Sequence, residues 1–221
     1  MYQPPQFKSA DHALAAQLMR EHPFASLIST DDAGLPFVTH LPLHLEERPP
    51  ATGEGQAPAT GSGQSGLVLL GHCARPNPHW RYLEQRPAAV VTFLGPHAYQ
   101  SPKIYPDLQR VPSWNYLAVH CTVQATLIDD PLAKDALLKK LIGDHEPAYA
   151  DQWRSLGEDY AHKMLAGIVA FELKVTQLQC KLKLNQHRPE SHAALRAVYA
   201  NGNEQERALA QWMDRLEMGL K

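Results

Sequence analysis

The stretch WNYLAVHCTVQATLID, residues 114–129, decides the fold class. Within it Val119, Cys121, Val123 and Ala125 alternate with His120, Thr122, Gln124 and Thr126. Successive side chains on a strand point to opposite faces, so this period of two predicts a long strand with one face in a core. Residues 168–184 repeat the pattern, with Phe171, Leu173 and Val175 set against Glu172, Lys174 and Thr176.

Outward from these two strands the chain reads as helices on one side and shorter strands on the other. Pro131 starts a helix with Leu132, Leu137, Leu138 and Leu141 at helical spacing, and 160–165 reads as the end of another. Residues 191–220 read as helical, interrupted by Asn201-Gly202-Asn203. Upstream, strands are expected at 88–94 and 66–72. A hairpin is expected from strand 24–30, the turn Asp31-Asp32-Ala33-Gly34 and a returning strand 35–45. Ser9 is the expected N-cap of a first helix that carries Leu14 and Leu18 on one face and closes at Pro23. This order never repeats a βαβ unit, which argues against a parallel doubly wound sheet. The expectation is a mainly β, α+β chain: an antiparallel β-barrel with peripheral helices.

Residues 49–66, PPATGEGQAPATGSGQSG, carry one charge, Glu54, and no side chain larger than Gln. They are expected to form a flexible Gly/Ser/Pro loop. Gly61, Gly63 and Gly66 match a G-x-G-x-x-G pattern, but a phosphate cradle needs a strand before it and a helix after it. Here a Gly/Ser/Pro tract precedes the pattern and a strand follows, so it reads as linker.

The 221 residues suit one large domain or two small ones. With 21 Lys and Arg against 23 Asp and Glu, the net charge of -2 argues against wholesale binding to nucleic acid or to an anionic membrane. Cys73, Cys121 and Cys180 are odd in number, widely spaced and without a CxxC, so neither a disulfide framework nor a zinc ribbon is expected. The N-terminus lacks the basic-then-apolar run of a signal peptide, and no apolar stretch is long enough for a membrane span. A cytoplasmic protein with reduced thiols is the expectation.

Residues 71–120 hold seven of the seventeen aromatic side chains and four of the twelve histidines. Between 71 and 110, five basic residues (Arg75, Arg81, Arg86, Lys103, Arg110) stand against Glu84 and Asp107. Aromatic planes interleaved with guanidinium groups suit a flat, phosphorylated ligand, and they equally suit an aromatic core with solvated arginines. A metal site from His72-Cys73 and His120-Cys121 is disfavoured, because each strand pair offers one inward ligand at most. Ser101 or Cys73 with His97 lacks the spacing of a nucleophile elbow, and no helix-turn-helix pattern is evident near the C-terminus.

Five motifs, in order, point further. MYQPPQF (1–7), FVTHLPL (37–43), GHCARPNPHW (71–80), GPHAYQSPKIY (95–105) and VPSWNYLAVH (111–120) together resemble the FMN-binding negative transcriptional regulator family, also called PaiB-like. The match ends in KLKLNQH (181–187), where Asn185 and His187 stand in place of the Ser and Asn of the family's K-L-S-Q-N form.

The resemblance implies a split β-barrel of the pyridoxamine-phosphate-oxidase type over 1–190, with 191–221 as a helical extension packed on the same domain. It implies a homodimer with FMN at the interface. Thr39, His40 and Leu41 would then contact the pyrimidine edge of the flavin. Arg75 would be the main charge on its phosphate, lined by His72, Ala74 and Asn77. Tyr99, Gln100 and Ser101 would flank the ring or ribityl chain, Trp114 and Asn115 would close the site, and Lys183 would reach it from the late strand. A guanidinium is the strongest common partner of such a phosphate. The family implies a role in transcriptional regulation, for which the charge balance argues against direct DNA contact. The alternatives are an FMN-dependent oxidoreductase using NAD(P)H and a flavin-free interaction module.

Overall fold

The computed structural model describes residues 1–49, 66–107 and 109–218. Residues 50–65, and with them nearly all of the expected loop and its glycine pattern, lie outside the described residues. The elements follow in order: β1 (Lys8–Ser9), α1 (His12–Glu21), β2 (Phe24–Thr30), β3 (Pro36–Pro42), β4 (His44–Glu47), β5 (Leu67–Ala74), α2 (His79–Gln85), β6 (Ala88–Gln100), β7 (Ser113–Ile128), α3 (Pro131–His145), α4 (Tyr149–Ser155), α5 (Glu158–Ala166), β8 (Ile168–Lys183), α6 (His192–Ala200) and α7 (Glu204–Arg215). Eight strands form one antiparallel sheet in the order β3-β2-β6-β7-β8-β5-β4, with β1 on β8; it is not closed, as in a split barrel.

The chain divides into two compact units. Unit 1 comprises Met1–Glu21, Leu94–Val119 and Gln179–Lys221; unit 2 comprises His22–Phe93 and His120–Leu178. The strands β6, β7 and β8 run through both. The period-two reading of β7 holds, since Val119, Cys121, Val123 and Ala125 are buried while the alternate residues are half-buried or exposed.

In unit 2, Asp31 Oδ1 accepts from the amides of Ala33 at 2.9 Å and Leu35 at 2.8 Å, and Gly34 takes a φ of 80°, closing the β2–β3 turn. The returning strand, expected over 35–45, is not continuous. Pro42 has no N–H to extend the ladder, and the amide of Leu43 bonds to Pro23 O at 3.0 Å. Beyond that break β4 pairs with β5 instead. The helix α3 is capped by Asp130, whose Oδ2 accepts from the Ala133 amide at 2.7 Å. It lays Leu137 and Leu141 on Val68, Leu70 and Ala170.

In unit 1, β1 pairs with the end of β8 through Lys8 and Lys181. Ser9 belongs to that strand, and the N-cap of α1 is Asp11, whose Oδ1 accepts from the amides of Ala13 and Leu14. Asp11 thus displaces the expected Ser9, its carboxylate being a strong acceptor at the positive helix end. The turn Asn201-Gly202-Asn203 separates α6 from α7 as expected, and Asn203 with Glu206 forms a capping box. Arg196 holds Asp214 with two bonds, of 2.7 and 2.8 Å, across this pair of helices. The helices α2 and α4 were not anticipated, since seven residues are too few for a clear helical period.

Candidate functional site

The expected contact residues fall on both units, and each group has its own construction. In unit 2 the end of β5 and the turn into α2 carry Ala74, Arg75 and Asn77. The Arg75 amide bonds to Gly167 O at 2.9 Å, and the Asn77 amide bonds to Ala74 O at 2.9 Å. The Arg75 guanidinium lies exposed across the end of β8. Its Nε donates to Ala166 O at 2.7 Å and its Nη2 donates to Ile168 O at 3.2 Å. These bonds fix the side chain and use two of its five N–H groups. No carboxylate among the described residues pairs with it, so the remaining donors are open to an anion.

The FVTHLPL and GHCARPNPHW motifs meet at Thr39. Its hydroxyl accepts from Asn77 Nδ2 at 3.1 Å and lies 2.7 Å from His79 Nδ1. The amide of His79 in turn donates to Asn77 Oδ1 at 3.0 Å. His79 is almost wholly enclosed, its ring edge-on to Phe37 at 5.1 Å. Burial pushes its pKa down to about 4, so it is a neutral imidazole. The exposed His40 sits 3.0 Å from Ser26 Oγ and stacks on Phe24. Leu41 is buried, packed towards Gly71. His72 lines a cavity of about 310 Å³ beside α3 with Leu138, Leu141 and Ile142. Its Nδ1 is buried without a partner, and burial lowers its pKa.

In unit 1 the rings of Tyr99 and Trp114 are half exposed, at 50% and 49%, and meet edge to face with centroids 6.3 Å apart. Trp114 Nε1 donates to His97 Nδ1 at 3.2 Å. Lys183 Nζ lies behind this platform, 2.7 Å from both Trp114 O and Ser113 Oγ. Burial, followed by the neighbouring charge of Lys181, lowers its pKa.

Asn115 and Gln100 are buried, and their amides serve the interior. Asn115 Nδ2 donates to Tyr199 OH at 2.9 Å, and that hydroxyl donates to Tyr99 O at 3.3 Å. Gln100 Nε2 donates to Tyr105 OH at 2.7 Å, which donates to Asn185 Oδ1 at 3.1 Å. Asn185 Nδ2 continues to Ser191 Oγ at 2.8 Å. Ser101 Oγ caps the short turn at Pro102–Ile104.

Sequence reasoning missed His79, Tyr105, Asn185 and Tyr199 as members of these networks. Asn185 takes a φ of 67°, a left-handed conformation that Asn tolerates better than most side chains. That explains an Asn where the family form has Ser, a signal the sequence carried. The donors at Arg75 fit an oxyanion, and the half-exposed rings of Tyr99 and Trp114 fit a flat ring system. Among the described residues no group of three His, Cys, Asp or Glu is placed to hold a metal.

Residues 1–177 match the family described as "Putative FMN-binding domain". The chain is 31% identical over 192 residues to the protease synthase and sporulation protein PAI 2 of Bacillus subtilis, covering 86% of this chain and 84% of that one. Among solved structures it is similar to the flavocytochrome Anf3 of Azotobacter vinelandii, with a TM-score of 0.57 and 16% identity, covering 81% of this chain and 70% of that one. It is also similar to a FAD- and heme-binding protein of Mycobacterium smegmatis, with a TM-score of 0.56 and 18% identity, covering 80% and 73%. At these identities the two structures speak to the fold, a split barrel.

Proposed function

The chain belongs to the FMN-binding domain family, whose cofactor is FMN, and from that premise we propose that it is a homodimeric flavin-binding regulatory protein. The observation that carries the reading is the meeting of two family motifs at Thr39, through Asn77 and His79, in the segment that also carries the open guanidinium of Arg75. Arg75 would hold the FMN phosphate with Asn77 and Ala74 beside it. Thr39, His40 and the backbone at Leu41 would meet the pyrimidine edge, since β3 ends the sheet order and one edge of its backbone has no strand partner among the described residues. Tyr99 and Trp114 would flank the ring, with Lys183, Asn115 and Gln100 supporting them from within. Bound there, FMN supplies one- and two-electron chemistry that the side chains do not.

Dimerisation is supported in unit 2 by a row of apolar side chains on the sheet face. Ile28 pairs with both Val38 and Val90, the latter two exposed, and Phe24 is 67% exposed nearby. Such a face suits a second copy of the chain. The regulatory role is what the motif resemblance implies, and it would work through a protein partner. The helix α7 opens on Glu204 and Glu206, which would repel a phosphate backbone. Cys73, Cys121 and Cys180 are buried and form no disulfide, which supports a reducing compartment such as the cytoplasm.

The test is to purify the protein without added flavin, record its visible spectrum, and identify the ligand released on denaturation by mass. One FMN per chain and a two-chain mass in sedimentation are expected. A colourless protein that also ignores added FMN overturns the reading in favour of an interaction module. Rapid NADH oxidation that requires the bound FMN would make it an oxidoreductase.

A further inference from the structure

We propose that unit 1 carries a second binding site, for a small phosphomonoester, in the cavity enclosed by the β6–β7 connection and the turn after β8. The cavity measures about 280 Å³ and is lined by Tyr105, Arg110, Val111, Ser113, His187 and Arg188 among others, none of its described lining residues being a carboxylate. The inference does not depend on flavin binding, and no residue assigned to the FMN phosphate takes part.

The site is built rather than incidental. The Arg110 guanidinium lies over the Tyr105 ring at 5.0 Å and is anchored by Asp107 Oδ2 at 2.7 Å, while its Nε is buried with no partner. Arg188 leaves the turn set by Asn185 at φ 67°, its amide bonded to Asn185 O at 3.0 Å, and its guanidinium has no partner among the described residues. Ser113 Oγ accepts from the Lys183 ammonium at 2.7 Å, which leaves the hydroxyl hydrogen free to donate. The imidazole of His187 registers the local field. Burial and then Arg188, with Lys183 and His192 in the same sense and Glu190 opposed, hold its pKa below the ordinary value.

Two guanidinium groups, a hydroxyl and an imidazole offer more donors than one carboxylate can accept. A phosphate with three terminal oxygens matches them. The space exceeds that of a bare ion by several water volumes, each about 30 Å³ in the liquid. The Tyr105 face and Val111 provide an apolar wall for a small organic group esterified to the phosphate.

The experiment is calorimetric titration of the protein, with whatever flavin it retains, by phenyl phosphate, benzoate and inorganic phosphate, while flavin absorbance is followed separately. Saturable 1:1 binding of phenyl phosphate is expected, at least tenfold tighter than benzoate, and Arg188→Gln should weaken it about tenfold or more with the flavin spectrum unchanged. Arg188 is half-buried without a partner, so that variant keeps the fold; Arg110→Gln, read with circular dichroism, is the second. No saturable binding, equal affinity for benzoate, or unchanged affinity in both variants overturns the site. Release of FMN by phenyl phosphate also overturns it, because the cavity would then be the flavin's own phosphate site.

Discussion

Arg75 in unit 2 and Trp114 in unit 1 are both exposed, yet they are held in opposite ways. Arg75 stands at the end of a strand and is steadied by backbone carbonyls alone, Ala166 O and Ile168 O. Trp114 stands on a platform whose underside is a set of side-chain bonds: Lys183 to Trp114 O, Asn115 to Tyr199, and Gln100 through Tyr105 to Asn185. A long flexible cation needs only a few acceptors to be aimed. A flat ring wall has to be shaped from behind, and the buried polar bonds that shape it reinforce one another in a low-dielectric interior. Damage to the first half should therefore appear in ligand affinity, and damage to the second in stability.

The largest effect is expected at Asn185. Asn185→Ala removes the acceptor of Tyr105 and the donor to Ser191 and keeps a strained φ. It should cost roughly 2–4 kcal/mol in urea unfolding, a lost buried bond plus the left-handed penalty. Asn185→Gly isolates the hydrogen bonds, and a cost equal to the alanine variant's would show that φ contributes nothing. Arg75→Ala should weaken FMN by about 1.5–3 kcal/mol, the range of a charge-assisted bond, with the urea midpoint nearly unmoved. Unchanged FMN affinity in that variant removes the phosphate assignment.

Next comes His79, buried and neutral. The unfolded chain takes up a proton below about pH 6.5, and the folded one resists it to about pH 4. Stability from this group is therefore whole above pH 6.5 and declines as pH falls through that window, by at most about 1.4 kcal/mol per pH unit. His79→Gln should flatten the slope between those values, and an identical slope would mean that other groups set it. The smallest effect is expected for Lys183→Met, about 1 kcal/mol or less in stability, with a shift in Trp114 fluorescence. A spectrum that does not move would uncouple the lysine from the platform.

Much of the fold was legible because it rests on local patterns. The alternation in β7 and β8, the proline that opens α3 and the glycine in the β2–β3 turn each report on their own neighbours. The errors came where a distant partner decided. The returning strand breaks at Leu43 because β4 finds β5, far along the chain. Ser9 joins β8, and that pairing leaves the cap to Asp11. Of the motif residues expected at the site, Arg75, Tyr99 and Trp114 are exposed, whereas Gln100 and Asn115 bond inward to Tyr105 and Tyr199, partners with no local signal.

By itself the sequence determined the antiparallel class, the family and the residue types fit for a phosphate and a flat ring, because period, motif order and charge are local properties. Only the tertiary structure decided which of those side chains are free. Whether Asn115 faces a ligand or Tyr199 depends on where α6 packs, and a buried amide must bond to whatever the fold places beside it.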